Sequence, residues 1–368
     1  MKILLVGEYS NVHATLAKGL KALGHEAVVL SNGDFWKNYP RDIDLVRTPG
    51  KLGGISYLLR AWALWPRLRG YDVVQLINPM FLELRAERIM PFYQRLRRQN
   101  GRVYLGSFGI DKPWVEEGRK PSTFRYSDFH LYGRPRSNAF TQEMEADWLH
   151  GPKGTLFDRI ADDCDGIITG LYENYRCCQP RYADKLHFIP FPIDRTQTMP
   201  KQAHPEYPGL RFFIGIQRTR SEYKGTDIML RALRRLQAKY PERMQIVEAE
   251  SVPFPVYQNM MNHSDVLLDQ LYSYTPGMNG LLAMAKGLIL VGGGEEEHYA
   301  LMNEPTLRPV INVQPDEDDV FLQMERRLIE ATPDEIARLS ADSVAYIRRH
   351  HDHIAVARRY IDLWKAEL

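Results

Sequence analysis

Short apolar runs alternate with helical patterns along most of the chain. The run KILLVG at residues 2–7 precedes a helical periodicity at residues 13–23, which Gly24 ends, and a second apolar run at residues 25–30. A buried strand, a helix and another buried strand in this order are typical of a βαβ unit in a parallel sheet. The aromatic and charged stretch at residues 114–153 has few apolar repeats, so it is a lid, an insertion or an extended loop with two short helices. Further strands of this half are predicted at residues 73–77, 103–105, 167–168 and 186–189.

The same alternation begins again after a polar stretch with prolines at residues 191–208, which we interpret as a linker. We therefore predict an α/β fold with two doubly wound, Rossmann-like domains that face a central cleft, at residues 1–193 and 208–350. Such an architecture suits an enzyme that holds one substrate on each half. Strands of the second half are predicted at residues 210–216, 244–247, 266–268, 288–291 and 309–313, and helices at 226–240, 281–286, 319–331, 333–349 and 354–368.

Length and composition agree with this interpretation and exclude some classes of function. A chain of 368 residues is longer than one ordinary core allows, so two domains are expected. No apolar run reaches the roughly 18 residues of a membrane-spanning helix, and the apolar start ends too early for a signal peptide. Three cysteines without metal or disulfide spacing fit a reducing cytoplasm. The net charge of +2 argues against nucleic acid as a partner.

The stretch from Asp265 to Glu297 contains the clearest candidate for an anion site. An apolar strand is followed by the turn-forming residues 272–280, a short helix that Gly287 ends, and another strand that ends in three glycines. In a βαβ unit, the carboxyl end of the first strand meets the amino end of the helix at the ligand edge. Free backbone N–H groups and the helix dipole both favour an anion there, so we expect a phosphate at residues 275–280.

A second constellation follows the first strand of the second half. The loop at residues 215–225 contains Arg218, Arg220 and Lys224 and precedes a predicted helix. Arginine offers a planar fork and lysine a point charge to phosphate oxygens. A solvated basic loop is the alternative, but the neighbouring phosphate-type turn favours a diphosphate site. The loop at residues 7–13 lacks the G-x-G-x-x-G pattern, which argues against an NAD or FAD dehydrogenase.

Motifs of the second half resemble those of the GT-B nucleotide-sugar glycosyltransferases, in the group 1 or family 4 branch. They are G-x-x-R with K-G-x-D at residues 215–227, S-D-V-x-L at 264–268 and A-M-A-x-G at 283–287. The resemblance covers most of residues 210–368 and extends more weakly to KILLVG. It implies a hexosyltransferase that moves a sugar from a nucleoside-diphosphate sugar to a hydroxyl acceptor, in cell-surface polysaccharide or glycolipid assembly. The nucleotide sugar is then the donor substrate, with no separate cofactor.

The resemblance also implies roles for individual residues. Lys224 and either Arg218 or Arg220 correspond to the residues that bind the donor diphosphate. The loop at residues 275–280 corresponds to the one that reaches the phosphates and the sugar. The last helix, residues 354–368, corresponds to the helix that crosses back and completes the first domain.

One departure from the family concerns its two glutamates, which stand eight positions apart. Tyr274 and Leu282 occupy these positions. The ribose contact would then come from Asp269, Glu248 or Glu250, and Glu295 to Glu297 would reach the sugar hydroxyls. The same departure leaves two alternatives open: a catalytically silent relative that binds a nucleotide sugar or a partner protein, and a nucleotide-sugar epimerase.

Candidates for the acceptor side lie in the first half. Asp111 follows a predicted strand, so its carboxylate is a candidate general base, with helix capping as the alternative. His13 opens the first helix, as either a cleft residue or a structural one, and Glu8 and Asn11 are candidates for contacts to acceptor hydroxyls. A reaction that retains configuration would need no protein base. The residues that we predict to be catalytic are Asp111, His13, Arg218 and Lys224. The donor-binding set is Gly7, Arg220, Tyr274, Thr275, Pro276, Gly277, Met278, Asn279, Gly280 and Glu295.

Two further features concern metals and membranes. Three D-x-D matches are too short to indicate a metal site, and cationic residues with a helix amino end neutralise a diphosphate without one. Between Arg41 and Arg102, twelve basic residues stand against five acidic ones, with aromatic and apolar residues interleaved. This stretch is either a peripheral contact with the inner face of a membrane, where a lipid-linked or glycan acceptor is found, or a solvated helix pair with aromatics in the core.

Overall fold

The computed structural model describes residues 1–198, 200–202, 204, 206–217 and 221–367. Arg218 and Arg220, two residues of the predicted diphosphate site, lie outside these residues.

The described residues of the first half form a parallel sheet in the order β3-β2-β1-β4-β5-β8-β9. Ile3, Leu4 and Leu5 on its central strand are fully buried, because helices cover both faces of such a sheet and its strands are apolar throughout. An antiparallel hairpin, β6–β7, lies outside it. The strands are β1 (Lys2–Val6), β2 (Glu26–Ser31), β3 (Ile43–Asp44), β4 (Val73–Leu76), β5 (Arg102–Ser107), β6 (His130–Leu131), β7 (Arg134–Pro135), β8 (Gly166–Thr169) and β9 (Leu186–Phe188).

A second parallel sheet, in the order β11-β10-β12-β13-β14, occupies the other half. In both sheets the strand order reverses near the centre, and ligand crevices of doubly wound folds form at such points. The prediction of an α/β fold with two doubly wound units is confirmed, whereas the boundaries at residues 193, 208 and 350 stay a prediction. The strands are β10 (Leu210–Ile216), β11 (Met244–Glu250), β12 (Val266–Leu268), β13 (Ile289–Gly292) and β14 (Ile311–Asn312).

The six helices with predicted bounds begin and end near the predicted residues. The helix predicted at 319–331 is an α-helix over Glu317–Met324 that continues as a π-helical turn. The stretch at residues 114–153 contains two short helices and the β6–β7 hairpin. The helices are α1 (Val12–Ala22), α2 (Gly50–Ala63), α3 (Met90–Gln99), α4 (Lys112–Gly118), α5 (Ala139–Glu145), α6 (Pro152–Asp163), α7 (Tyr172–Tyr182), α8 (Ser221–Lys224), α9 (Thr226–Lys239), α10 (Phe254–Asn262), α11 (Met278–Ala285), α12 (Glu296–Leu301), α13 (Glu317–Met324), α14 (Pro333–His350) and α15 (His353–Glu367).

The last helix, α15, returns to the first half and packs against α1. Where the chain crosses, the Ile193 N–H donates to the carbonyl oxygen of His351 (2.7 Å), and the His353 N–H donates to that of Ile193 (3.2 Å). Gly19 lies at the helix crossing, where a Cβ atom would overlap the carbonyl oxygen of His353 and approach the Ala357 Cβ atom to 2.8 Å. The absence of a side chain at Gly19 therefore permits the close approach of α15.

Replacing Gly19 by valine should push α15 away from α1. We expect the free energy of unfolding to fall by about 1–3 kcal/mol, the usual cost of overpacking a tight contact, as measured by denaturant titration. Gly109→Ala is the control, because a Cβ atom there meets nothing within 4 Å. Equal stability of the two variants would contradict the proposed packing.

Candidate active site

A cleft of about 870 Å³ lies between the two halves. Its walls are formed by loops that follow β1, β2 and β5 on one side and β10, β11 and β12 on the other. Ligands of doubly wound proteins bind at such carboxyl ends, and the volume is in the range of small-molecule sites. The second half contributes Gln217, Tyr223, Lys224, Ser251, Asp269, Gln270, Gly277, Met278 and Asn279.

Lys224 and the amino end of α11 both line this cleft. The Leu271 N–H donates to the Lys224 carbonyl oxygen at 2.9 Å, which ties α8 to the loop before α11. Within the described residues, the Lys224 ammonium makes no hydrogen bond, and the backbone N–H groups of residues 278–280 have no acceptor. A cation and free helix N–H groups in one cavity are the chemistry that a phosphate group requires. The structure thus brings together Lys224, Gly277, Met278 and Asn279 from the predicted site.

Asp269 is the carboxylate of the second-half wall. Its Oδ1 lies 3.4 Å from the Asn279 amide nitrogen, which also donates to the Tyr257 hydroxyl at 2.9 Å. Of the other two carboxylates predicted to contact a ribose, Glu248 is exposed and pairs with Arg234 at 3.3 Å, and Glu250 is exposed. Asp269 is therefore the predicted ribose contact that the structure places in the cleft.

The first part of the predicted phosphate turn contacts the first half of the protein instead. The buried carboxylate of Glu173, at the start of α7, accepts the backbone N–H groups of Tyr274 (2.6 Å) and Thr275 (3.1 Å). It also accepts the hydroxyls of Thr275 (2.7 Å) and Ser273 (3.0 Å). These N–H groups already have an anionic partner. Tyr274, Thr275, Pro276 and Gly280 are buried, so only residues 277–279 of the predicted turn line the cleft.

The ring of Tyr274 belongs to an aromatic cluster that joins the two halves. Its centroid lies 4.8 Å from that of Tyr126 and 5.7 Å from that of Tyr172. The Arg125 guanidinium lies 5.2 Å from the same centroid, and the Arg125 N–H donates to the Tyr274 hydroxyl at 2.8 Å. Tyr274, which stands where the resembled family has its first glutamate, therefore contributes to the contact between the halves.

Residues 123–136, which we call the strap, belong to the first half and extend over the second half, which they contact. Glu295 accepts hydrogen bonds from the Tyr126 hydroxyl (2.6 Å), the Arg125 guanidinium (2.7 Å) and the Gln314 amide (2.7 Å). Burial disfavours the Glu295 carboxylate, but these hydrogen bonds and the charge of Arg125 outweigh it and lower its pKa. Glu295, predicted to reach a donor sugar, holds the strap. The aromatic and charged composition of residues 114–153 was the sequence signal for this contact.

Asp111 and His13 are buried supports of the first half and are not among the described residues that line the cleft. Asp111 caps α4, accepting the Trp114 N–H (3.0 Å) and the Ser107 hydroxyl (2.5 Å), and burial raises its pKa to about 6. The His13 Nδ1 donates to the Gly7 carbonyl oxygen at 2.8 Å, and burial lowers the pKa of His13 to about 3. Their positions match the structural alternatives weighed for both residues.

A second cavity of about 540 Å³, the N-terminal cavity, adjoins the cleft in the first half. Tyr9 and Phe35 line both spaces, and most of the other walls are apolar. Gly7 forms part of the wall with φ +87°, and a Cβ atom there would overlap Ile77. Within the described part of the chain, the buried Asn78 Oδ1 has no hydrogen-bond partner, although buried polar atoms are usually paired. The cavity is thus lined by apolar side chains together with the charged residues Glu8, Arg47 and Glu83.

Glu8 is the buried carboxylate of the N-terminal cavity. It accepts the backbone N–H groups of Tyr9 (2.8 Å), His13 (3.2 Å) and Ala14 (2.8 Å), and so caps the first turn of α1. Burial nevertheless raises its pKa from 4.5 to about 7, because these bonds only partly replace lost hydration.

Comparisons with known proteins identify the fold. No protein-family model matches the chain, and no curated protein matches it. Solved structures match over the whole length. Sucrose-phosphate synthase from Thermosynechococcus elongatus has a TM-score of 0.62 at 12% identity, covering 100% of this chain and 99% of its own.

Two other solved structures were determined with nucleotide ligands. HepE from Anabaena, in complex with UDP-glucose, has a TM-score of 0.59 at 13% identity and 100% coverage of both chains. The catalytic domain of starch synthase IV from Arabidopsis thaliana, bound to ADP and acarbose, has a TM-score of 0.56 at 11% identity, covering 100% of this chain and 99% of its own. At such identities the likeness shows the fold. The chain has the GT-B fold of nucleotide-sugar glycosyltransferases, as expected from its motifs.

The raised pKa of Glu8 predicts a pH dependence of stability. The folded protein keeps the proton up to about pH 7, whereas the unfolded carboxyl loses it near pH 4.5. This contribution is therefore fully present below pH 4.5 and is lost as the pH rises to about 7. Relative to Glu8→Gln, the wild type should lose about 3 kcal/mol of unfolding free energy across this window.

Denaturant titrations at several pH values measure this difference. The exposed Glu26 provides the control, because Glu26→Gln should give a curve parallel to that of the wild type. A Glu8→Gln curve that is also parallel to the wild type would show that Glu8 titrates normally.

Proposed function

We propose that this protein is a glycosyltransferase that moves a sugar from a nucleoside-diphosphate sugar to a hydroxyl acceptor. The proposal is supported above all by the common cavity that Lys224 shares with the free amino end of α11. Two doubly wound halves across this cavity provide one binding surface for a donor and one for an acceptor.

The diphosphate binds Lys224 and the N–H groups of residues 278–280. During transfer, the bond between the sugar C1 and the β-phosphate oxygen breaks, and its electron pair stays on the phosphate. The acceptor oxygen bonds to C1, and its proton passes to an oxygen of the departing diphosphate. Positive charge placed where the leaving group gains negative charge lowers the barrier. Lys224 and the helix end supply that charge, so the proposed mechanism uses no metal and no separate cofactor.

The nucleoside lies on the second half, with Asp269 accepting hydrogen bonds from the ribose hydroxyls. Asp269 lines the cleft with Gly277 and Met278, which places it close to the diphosphate site. The UDP-glucose of HepE and the ADP of starch synthase IV support a nucleotide as the guest.

The acceptor occupies the N-terminal cavity, where the polar wall residues Glu8 and Asn78 contact its hydroxyl groups. Apolar walls favour an acceptor with an apolar part, such as a lipid-linked glycan. This supports a role in glycolipid or cell-surface polysaccharide assembly.

Helix α2 provides a surface for a membrane contact. Leu52, Ile55 and Leu59 lie on one face of it and are 83%, 56% and 66% exposed, and the neighbouring Arg47 and Lys51 are exposed cations. An exposed apolar stripe next to positive charge favours an anionic bilayer as its partner. Residues 48 and 49, just before α2, line the N-terminal cavity. We therefore place the peripheral contact at α2.

The rest of the basic stretch at residues 41–102 is largely used within the fold. Arg97 and Arg102 pair with Asp165 at 2.7 and 2.9 Å, and Tyr57 and Trp65 are buried. No helix among the described residues is long and apolar enough to cross a bilayer.

A catalytically silent relative that binds a nucleotide sugar is the second candidate. The position of Tyr274 favours it, because the residue replacing the first family glutamate faces the contact between the halves rather than the cleft. Binding of a nucleotide sugar without transfer to any of a panel of lipid-linked and free glycans would support this second candidate.

Replacing Lys224 by alanine tests the diphosphate site. We expect the affinity for UDP, GDP or ADP, whichever binds the wild type, to fall roughly tenfold to a hundredfold, since a charge-assisted hydrogen bond is lost. Sugar transfer should fall at least as much. Isothermal calorimetry and a nucleotide-release assay measure the two effects.

Lys239→Ala is the matched control, because Lys239 is exposed on α9 and pairs with Glu325. Unchanged nucleotide affinity in Lys224→Ala would overturn the assignment of the site.

The membrane contact predicts that replacing Leu52, Ile55 and Leu59 together by serine reduces binding to vesicles containing phosphatidylglycerol at least tenfold. The reason is the loss of apolar area available for burial in the bilayer. Vesicle flotation measures the bound fraction. The control replaces Val256 and Leu322, exposed apolar residues of the second half, by serine. Equal binding of the triple variant and the wild type would refute the contact.

A further inference from the structure

A side pocket of about 150 Å³ opens from the cleft next to Lys224. It shares Lys224, Tyr223 and Gln270 with the cleft, so the two spaces are continuous. Its far walls come from Trp114 and Asp128 of the first half and from Tyr272 of the second. Its volume is below the roughly 300 Å³ at which sites for drug-sized ligands begin. The pocket is therefore suited to one ring rather than to a chain of sugars.

Asp128 supplies a partly unused carboxylate. The residue is 6% exposed, and its Oδ2 accepts the Trp114 indole N–H at 2.9 Å and the Tyr223 hydroxyl at 3.2 Å. Its Oδ1 makes no hydrogen bond within the part of the chain that the structure describes. An ionised carboxylate has about four acceptor sites, so Oδ1 remains available to a guest with hydroxyl groups.

The walls around Asp128 are aromatic and are held by Arg136 of the strap. The Arg136 guanidinium lies 3.3 Å from the Tyr272 ring centroid, and it donates to the backbone carbonyl oxygens of Asp128 (3.1 Å) and Glu222 (2.9 Å). Arg136 thus links both halves around the pocket. A pyranose has apolar C–H faces and a rim of hydroxyl groups, which need flat apolar walls and well-placed acceptors. Tyr272, Trp114 and Asp128 supply these together.

We propose that the side pocket binds the sugar of the nucleotide-sugar donor, with Asp128 accepting hydrogen bonds from its hydroxyl groups. The inference rests on the proposed function, because a diphosphate at Lys224 directs the attached sugar into the neighbouring pocket. A carboxylate of the strap then takes over hydroxyl recognition at a site where Tyr274 replaces a glutamate of the second half. Both halves of the protein contact the donor, and Asp128 determines which sugars are accepted.

The test separates sugar recognition from diphosphate recognition. Dissociation constants are measured by calorimetry for UDP, GDP and ADP and for the corresponding glucose esters. Asp128→Asn and Asp128→Ala should weaken the nucleotide sugar that binds the wild type at least tenfold, while the affinity for its free diphosphate changes less than twofold. Asp147→Asn is the control, because Asp147 lies in the same stretch at residues 114–153 but pairs with Lys153 and does not line the pocket.

A second variant, Tyr272→Leu, removes the aromatic wall from the other half while keeping apolar volume. It should show the same selective loss, and circular dichroism checks that each variant is folded. If Asp128 cannot be replaced without unfolding, Tyr272→Leu decides the question alone.

The outcomes distinguish the two proposals. Three results would overturn the sugar pocket and leave the diphosphate site intact. The first is an unchanged affinity of the variants for the nucleotide sugar, and the second is an equal loss of affinity for the sugar ester and the free diphosphate. The third is a wild type that binds free diphosphates but no sugar ester. A wild type that binds none of the six nucleotides overturns the proposed function, and this inference with it.

Discussion

The hydrogen bonds of Glu173 to the loop at residues 273–275 fix the relation between the two halves. One carboxylate of the first half accepts two backbone N–H groups and two hydroxyls of the second. Hydrogen bonds to a buried charge are worth about 1.5–3 kcal/mol each, and an unpaired partner would be costly. The loop is therefore held from outside the cleft, and its continuation, residues 277–279, is left facing the cavity with free N–H groups. The position of the free N–H groups in the second half thus depends on a carboxylate of the first.

The strap adds further contacts between the two halves. Arg125 and Tyr126 bind Glu295, and Tyr274 packs between them and Tyr172. In the family that the motifs of the second half resemble, the position of Tyr274 holds a glutamate that contacts the donor. Here the same position stabilises the contact between the halves, and the strap places the Asp128 carboxylate in the wall of the side pocket.

The sequence predicted those features that depend on local pattern. Continuous apolar runs such as residues 2–6 predict buried parallel strands. A lysine in the loop after β10 and a turn before α11 predict two groups at the same edge of the sheet, and Lys224 and residues 277–279 do line one cleft. It did not predict that Glu173 holds the loop at residues 273–275 or that Asp128 lines the side pocket, because each depends on which groups another segment brings close. Glu173 lies 101 residues before Tyr274, and no spacing rule connects them. Asp111 and His13 lie near the predicted edge of the sheet, but both are buried and do not line the cleft. Burial depends on the packing of distant segments, which the local sequence does not give.

The return of α15 to the first half has a mechanical consequence. The chain passes between the halves at Ile193 and again at Asp352, and these two passages lie side by side as a parallel bridge. Two adjacent covalent links resist twisting and sliding but permit bending about the line that they share. A rotation that separates the halves would then be a jaw-like bend with that line as its axis. Displacement grows with distance from the axis, so the contacts made far from it set how widely the jaw opens.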